Sequence, residues 1–303
     1  MSKLLNYYTK KKDVVNLPSN FNEELEIGDF LKGTKQIGFG MTFNKKLTVG
    51  VIPSSVKEII FGYDFDQELE IGVFPNGITS IIFGSRFNQK IIKDVLPDSL
   101  ITLKFSHNFS QEFEPGVLPD SLEELTFYTR YKQIITHGIL PQKLKKLHLC
   151  NNIIEVGSIP NSVEYLNIDD NSNFFGEGFF PTNLKLVVLP HFCYKINECV
   201  FPPNLEIIHF ERSSDVILKD GLLPESVHTV VITGSHTLIL NSLPHSITTI
   251  VFSNLINEIT NIPPLISKIK IRMKKDAKFI KKIPFGCVIE TIGGNTVDSY
   301  YFN

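Results

Sequence analysis

The chain has 303 residues, 42% of them apolar, with 24 Phe, 9 Tyr and no Trp, ample material for a large buried core. Its formal net charge of −2 excludes a polyanion binder that works by bulk charge. No stretch approaches the roughly 18 apolar residues of a membrane span, the N-terminus has no apolar run of signal-peptide length, and Cys150, Cys193, Cys199 and Cys287 lack the C-x-x-C spacing of a zinc site or the look of a disulfide framework. The expectation is a soluble, intracellular, cytoplasmic protein with reduced thiols.

In chain order, residues 1–16 form a lead. A period then begins. Prolines fall at 53, 75, 97, 119 and 141, spaced by 22, and continue at 160, 181, 202, 224, 244, 263 and 284. Leu31 stands one step before Pro53 and completes thirteen anchors. The residue before each anchor is apolar every time, from Phe30 and Ile52 to Ile283, and so is the residue eight after it, from Phe39, Phe61, Phe83, Phe105 and Phe127 to Ile292. Thirteen hits at one position have a chance of roughly one in 10⁵, so the period is real. Positions three and six after the anchor are apolar except at Thr34 and Glu290, respectively.

Each repeat carries one short strand. In residues 95–119, Leu103 and Phe105 lie two apart and point inward, while Thr102, Lys104 and Ser106 point to solvent. One such strand cannot bury its apolar face alone, so repeats must stack, with neighbouring strands parallel and about 4.8 Å apart. About 22 residues leave no room for a full helix. The fold class is therefore mainly β: a curved, leucine-rich-repeat-like solenoid of about 12–13 coils with one parallel sheet and a convex side of extended or 3-10 segments. It is expected over residues 17–292 as a single domain, with a tail at 293–303.

Within a coil, the proline suits the turn that leads into the strand, and a Ser two after it (55, 99, 121, 162, 226, 246) can tie down local backbone. Three before it stands Gly at 28, 50, 72, 116, 138, 157, 178 and 221, with Asp94 and Asn241 as substitutes. A turn with positive φ is expected there. Phe43, Phe65, Phe87 and Phe109, with Tyr131 next, should stack as an internal spine. The residues that follow, Asn44, Asp66, Asn88 and Ser110, should form a polar ladder.

The segment FGSRFNQKIIKDVLP, with Phe87-Asn88, Ile91 and Pro97, resembles the FNIP repeat family; Phe43-Asn44…Leu47…Pro53 and Phe65-Asp66…Leu69…Pro75 match the same pattern. The resemblance covers roughly residues 17–284 and is strongest over 43–141. It implies a short variety of leucine-rich repeat, known mainly from amoebae and their large DNA viruses. The location it implies is cytoplasmic, in the host for a viral member. Many members carry an F-box ahead of the repeats, but about 16 residues cannot hold that helical bundle. The resemblance thus implies target binding, with the adaptor role weakened, and it implies no catalytic residues.

Solenoids bind through the solvent face of the strand ladder. The candidate protein-binding residues are Lys104, Glu124, Thr126, Tyr128, Lys146, His148, Tyr165 and Asn167, with Cys150 on the same outward alternation. Other parts of that face are apolar: Ile60, Ile82, Leu186, Val188, Ile207, Val231 and Val251. A second, anion-binding surface is expected on Lys268, Lys270, Arg272 and Lys274, which would put four cations on one face of a strand. It could meet an acidic protein, a membrane surface or a nucleic acid; no nucleic-acid motif accompanies it, so nucleic acid is not the expected partner. No P-loop, G-x-S-x-G, H-E-x-x-H or EF-hand motif occurs. No catalytic residues, metal or cofactor are expected, and the spacings His148-x-Cys150 and His191-x-Cys193 have no further ligands. The expected partner is a protein, and a monomer is expected.

Overall fold

The computed structural model describes residues 3–128, 133–150, 153–169, 176–189, 196–211, 218–233, 240 and 243–294. It divides into two compact units, Met1–Val163 and Glu164–Asn303. In the first unit the strands are β1 (Val14–Asn16), β2 (Gln36–Gly38), β3 (Glu58–Ile60), β4 (Ser80–Ile82), β5 (Thr102–Phe105), β6 (Glu124–Phe127) and β8 (Lys146–Cys150), neighbours in that order and all parallel. Two short strands, β7 (Ile134–Ile135) and β9 (Ile153–Ile154), pair with each other outside this ladder. In the second unit β10 (Tyr165–Asp169), β11 (Leu186–Leu189), β12 (Ile207–Glu211), β13 (Thr229–Thr233), β14 (Thr249–Asn254), β15 (Lys268–Ile271) and β16 (Val288–Thr291) follow one another, again all parallel. Among the described residues there is no α-helix; the other regular elements are 3-10 turns such as Leu5–Tyr7 and Lys274–Phe279. The mainly β, leucine-rich-repeat-like solenoid expected from the period is the fold observed.

The turn into each strand is built on the anchor. The Pro53 carbonyl accepts from Val56 N at 3.0 Å, and Pro97 and Pro119 do the same for Leu100 and Leu122. The serine two after the proline does not tie down local backbone. Ser55, Ser99, Ser121 and Ser226 donate instead to the carbonyls of Thr34, Ile78, Leu100 and Leu205 in the preceding coil, at 2.6–2.8 Å. The positive-φ turn is present, and Asp94 adopts φ 68° where its neighbours have Gly72 at 85° and Gly116 at 80°. Aspartate serves because its short side chain tolerates the left-handed region.

The aromatic spine is double. Phe43, Phe65, Phe87 and Phe109 stack at 6.1, 6.0 and 6.0 Å. The inward Phe of the strands, from Phe39 through Phe61, Phe83 and Phe105 to Phe127, stack at 5.1, 5.2, 5.4 and 5.5 Å. The two columns meet within each coil, with Phe83–Phe87 and Phe105–Phe109 both at 3.9 Å. Strands stack at about 4.8 Å, so the spacing widens with distance from the sheet. The coils of this unit are wedges, and stacking wedges bends the ladder inward. Tyr131 lies outside the described residues; in the other direction Phe21 continues the spine, 6.2 Å from Phe43.

The polar ladder is present as well. Asn44 Oδ1 accepts from the backbone of Asp66, Asp66 Oδ1 from Asn88 and Asn88 Oδ1 from Ser110, each at 2.9 Å. Gln67 and Gln89 donate to the same oxygens of Asn44 and Asp66. Loop N–H groups that a coil without a helix would leave open are thereby paired.

Both ends of the array depart from the period. Ahead of the first coil, Leu4 is fully buried and Tyr8 bridges antiparallel to Val15. The Tyr8 hydroxyl bonds Thr34 Oγ1 at 2.7 Å. Thr34, the one polar residue three after an anchor, is thus buried but satisfied. In the last coil β16 sits one residue earlier than its proline predicts: Ile289 and Thr291 turn inward, Glu290 faces out, and Ile292 is exposed. The register of Lys268 with Val288 fixes this slip.

Candidate protein-binding face

On the first unit, Lys104, Thr126 and His148 are direct cross-strand partners on β5, β6 and β8. Lys104 Nζ lies 2.6 Å from Glu124, with 26% and 30% of the two side chains exposed. Tyr128, just past the end of β6, is 43% exposed, and its ring lies 5.5 Å from that of His148 at a tilt of 53°. Lys146 is exposed at the edge of the group. The expectation that every one of these residues faces solvent fails for Thr126, which is 4% exposed. It is a short side chain between Lys104 and His148 in the ladder, with Glu124 and Tyr128 on either side along the chain, and the long neighbours cover it. Cys150 is also buried, at the end of β8. It cannot join His148 at a surface metal site. His191 and Cys193 lie outside the described residues, and the described residues hold no group of three His, Cys, Asp or Glu placed to bind a metal.

Tyr165 and Asn167 belong to the second unit. Both are half-buried on β10, and Asn167 Oδ1 is buried without a hydrogen-bond partner among the described residues. The apolar stretch of the face is not an exposed patch. Ile60, Ile82, Leu186, Ile207, Val231 and Val251 are half-buried, and Val188 is buried. β-Branched residues here fill the pleat against their neighbours.

Two groups escaped the reading of the sequence. Next to the strand face in the first unit, Tyr63 is 50% exposed, the Arg86 guanidinium lies 5.5 Å over its ring, and Arg86 pairs with Asp64 at 2.9 Å. The positions ten and eleven after an anchor carried no periodic signal. In the second unit, His209 Nε2 lies 2.8 Å from Thr233 Oγ1, which is 2.6 Å from Ser253 Oγ. Thr233 faces out by strand alternation, and the register shift beside it leaves Ser253 as the extra residue on β14. Burial pushes the His209 imidazole down to about 4, so at neutral pH it is uncharged and a weak base. The row is a satisfied polar ladder without the driving force of a catalytic base.

The basic residues do not share one strand. β15 ends at Ile271, so Lys268 and Lys270 lie on it, Arg272 follows it, and Lys274 opens the 3-10 turn Lys274–Phe279. That turn starts there because the Asp276 carboxylate caps the Met273 N–H at 3.0 Å. Lys268 lies 3.7 Å from Glu290.

The FNIP repeat family matches residues 21–64, 65–108 and 109–150. The three matches are consecutive and cover residues 21–150. Each match begins at a spine phenylalanine (Phe21, Phe65 or Phe109) and spans two coils, so the FNIP unit is cut at the polar ladder. No curated protein matches the chain in sequence. Among solved structures the chain is similar to CroV588, a novel circular leucine-rich-repeat protein, with a TM-score of 0.58 and 23% identity over 89% of this chain and 48% of that one. The chain thus spans about half the length of CroV588. It also matches YopM from Yersinia enterocolitica WA-314, with a TM-score of 0.29 and 15% identity over 89% of this chain and 80% of that one. The likeness to CroV588 shows the leucine-rich-repeat type of fold. No helix among the described residues is long and apolar enough to cross a membrane.

Proposed function

We propose that the chain is a protein-binding scaffold, without a catalytic step, that works inside the cell through the outward face of its strands. The reading rests on one observation: in a face otherwise half-buried, Tyr128 stands exposed against the His148 ring, beside the exposed Lys146 and the paired Lys104 and Glu124. Tyrosine gives a large, rigid contact area and is enriched at interface hot spots. Thr126 is withdrawn from this surface; Tyr165 and Asn167 lie half-buried on the outward side of a strand of the second unit. The test is a lysate pull-down read by mass spectrometry, with wild type against Tyr128→Ala/His148→Glu/Lys146→Glu. A protein retained by wild type and lost by the variant supports the face; a set of captured proteins that the variant does not change defeats it.

A second reading has its own observation. Residues 264–294 carry eight Lys and Arg against two Asp and Glu, within a chain of net charge −2. We infer an anion-binding surface on the last coils, including Lys268, Lys270, Arg272 and Lys274. Retention on heparin that Lys268→Glu/Lys270→Glu/Arg272→Glu abolishes would support it; passage of wild type straight through the column would end it.

A further inference from the structure

We propose that the last two coils dock on an anionic membrane surface, with Leu265 and Phe285 entering the lipid interface. This rests on the anion-binding reading and names its ligand. In five coils the serine two after the anchor donates to the coil before it. The last two turns, Pro263–Ile266 and Pro284–Cys287, close with the same backbone bond at 3.2 and 3.1 Å. Their central residues, however, are Leu265 and Phe285. Leu265 is 52% exposed, and Phe285 is fully exposed, the only exposed phenylalanine among the described residues. Pro284 restricts one side of Phe285, and Gly286, at φ 78°, turns the chain on the other. The ring is presented on a tight turn.

Around these turns the charge is one-sided. Lys275, Lys278, Lys281 and Lys282 are exposed. The carboxylates cannot offset them: Asp276 is buried and engaged with Met273, Glu290 sits by Lys268, and Glu258 reaches Lys281 alone at 3.4 Å. Seven of the eight cations between 264 and 294 are lysine. Lysine is a flexible point charge whose stem can lie along apolar surface with its head in the headgroup layer. Recognition of bases draws instead on arginine's planar fork, and Leu265 has no ring on which a base could stack. Two exposed apolar side chains on the turns of a lysine-rich segment therefore fit an anionic bilayer better than a nucleic acid.

The absence of tryptophan allows a direct test. Phe285→Trp creates a single-tryptophan protein with the reporter at the proposed point of insertion. It is mixed with phosphatidylcholine vesicles, with and without phosphatidylserine and with brominated acyl chains. The expected result is a blue shift and quenching by bromolipid with phosphatidylserine vesicles only, reversed by salt and by Lys281→Glu/Lys282→Glu. In co-sedimentation, Phe285→Ser should bind these vesicles roughly tenfold more weakly than wild type. Binding without a shift, or undiminished by Phe285→Ser, overturns the insertion. Retention on heparin without binding to vesicles overturns the membrane inference and leaves the anion-binding reading intact; failure of both removes both.

Discussion

Replacing Phe105 by alanine tests the double spine where it is densest. The ring is fully buried. It touches Phe109 at 3.9 Å in its own coil, Phe83 and Phe127 at 5.4 and 5.5 Å in the coils on either side, and Phe113 at 5.7 Å. Truncation of a buried Phe costs about 3–5 kcal/mol, and aromatic pairs are worth about 0.5–1.5 kcal/mol beyond their area. With five ring neighbours, counting Phe87 at 6.5 Å, and coils held apart by the strand spacing, the cavity cannot collapse, so a loss near 5 kcal/mol is expected at about the upper end of that range. Phe105→Leu keeps most of the volume and should cost about 1–2 kcal/mol. Urea unfolding followed by circular dichroism measures both, with the slope checked because repeat arrays can lose two-state behaviour. Phe285→Ala, on a fully exposed ring, should change stability by less than about 0.5 kcal/mol. If Phe105→Ala falls within that same margin, the stacked-ring account of the core is wrong.

Three further outcomes are expected. His209 has its folded pKa lowered to about 4, below an unfolded value near 6.5. Between these values the unfolded state binds more protons, so stability falls as pH drops, by about 3 kcal/mol at pH 4; the difference in unfolding free energy between wild type and His209→Gln should shift across this window, and a pH-independent difference would mean the imidazole is not desolvated. A Cβ at Gly62 would overlap the Gly40 carbonyl of the preceding coil, so Gly62→Ala should cost about 1–3 kcal/mol by thermal melting, and a melting point equal to wild type would contradict the close stacking. A double-mutant cycle on Lys104 and Glu124, half-buried and 2.6 Å apart, should return a coupling of about 1 kcal/mol that shrinks with salt, and a salt-independent coupling would place the interaction elsewhere.

Much of the scaffold was legible because repetition samples each position a dozen times. The alternation of Leu103 and Phe105, the positive-φ turn at Asp94 and the ladder from Asn44 to Ser110 each followed from residue type at a fixed phase. What was missed depends on the coil next door. Ser55 and Ser99 bond a carbonyl about 21 residues back, a partner that appears only once stacking is known. Gly40 and Gly62 matter because the backbone of one coil lies against the next. Of the candidate face, Tyr128 and Lys146 are exposed and His148 is half-buried, as outward alternation predicts. Thr126 was not, since alternation gives direction while the length of its neighbours sets exposure. Lys274 was assigned to a strand that the Asp276 cap ends early.

This division of labour bears on how such a face could acquire a partner. Positions that fix the coil point inward or sit in turns, and they recur: the prolines, the positive-φ turns, the two Phe columns and the polar ladder. Outward residues make their contacts mainly with one another, as Lys104 does with Glu124 and Tyr128 with His148. Changing one alters a neighbour's exposure but leaves the inward packing in place. Free energy from the core is therefore nearly independent of the identity of the face, and the stability cost of varying an outward residue is set mainly by its outward neighbours. The exception is the glycine row at 40, 62 and 84, where the carbonyl of the coil before occupies the space of a side chain. There the scaffold constrains the face, and the coils at that end must present backbone where Tyr128 presents a ring.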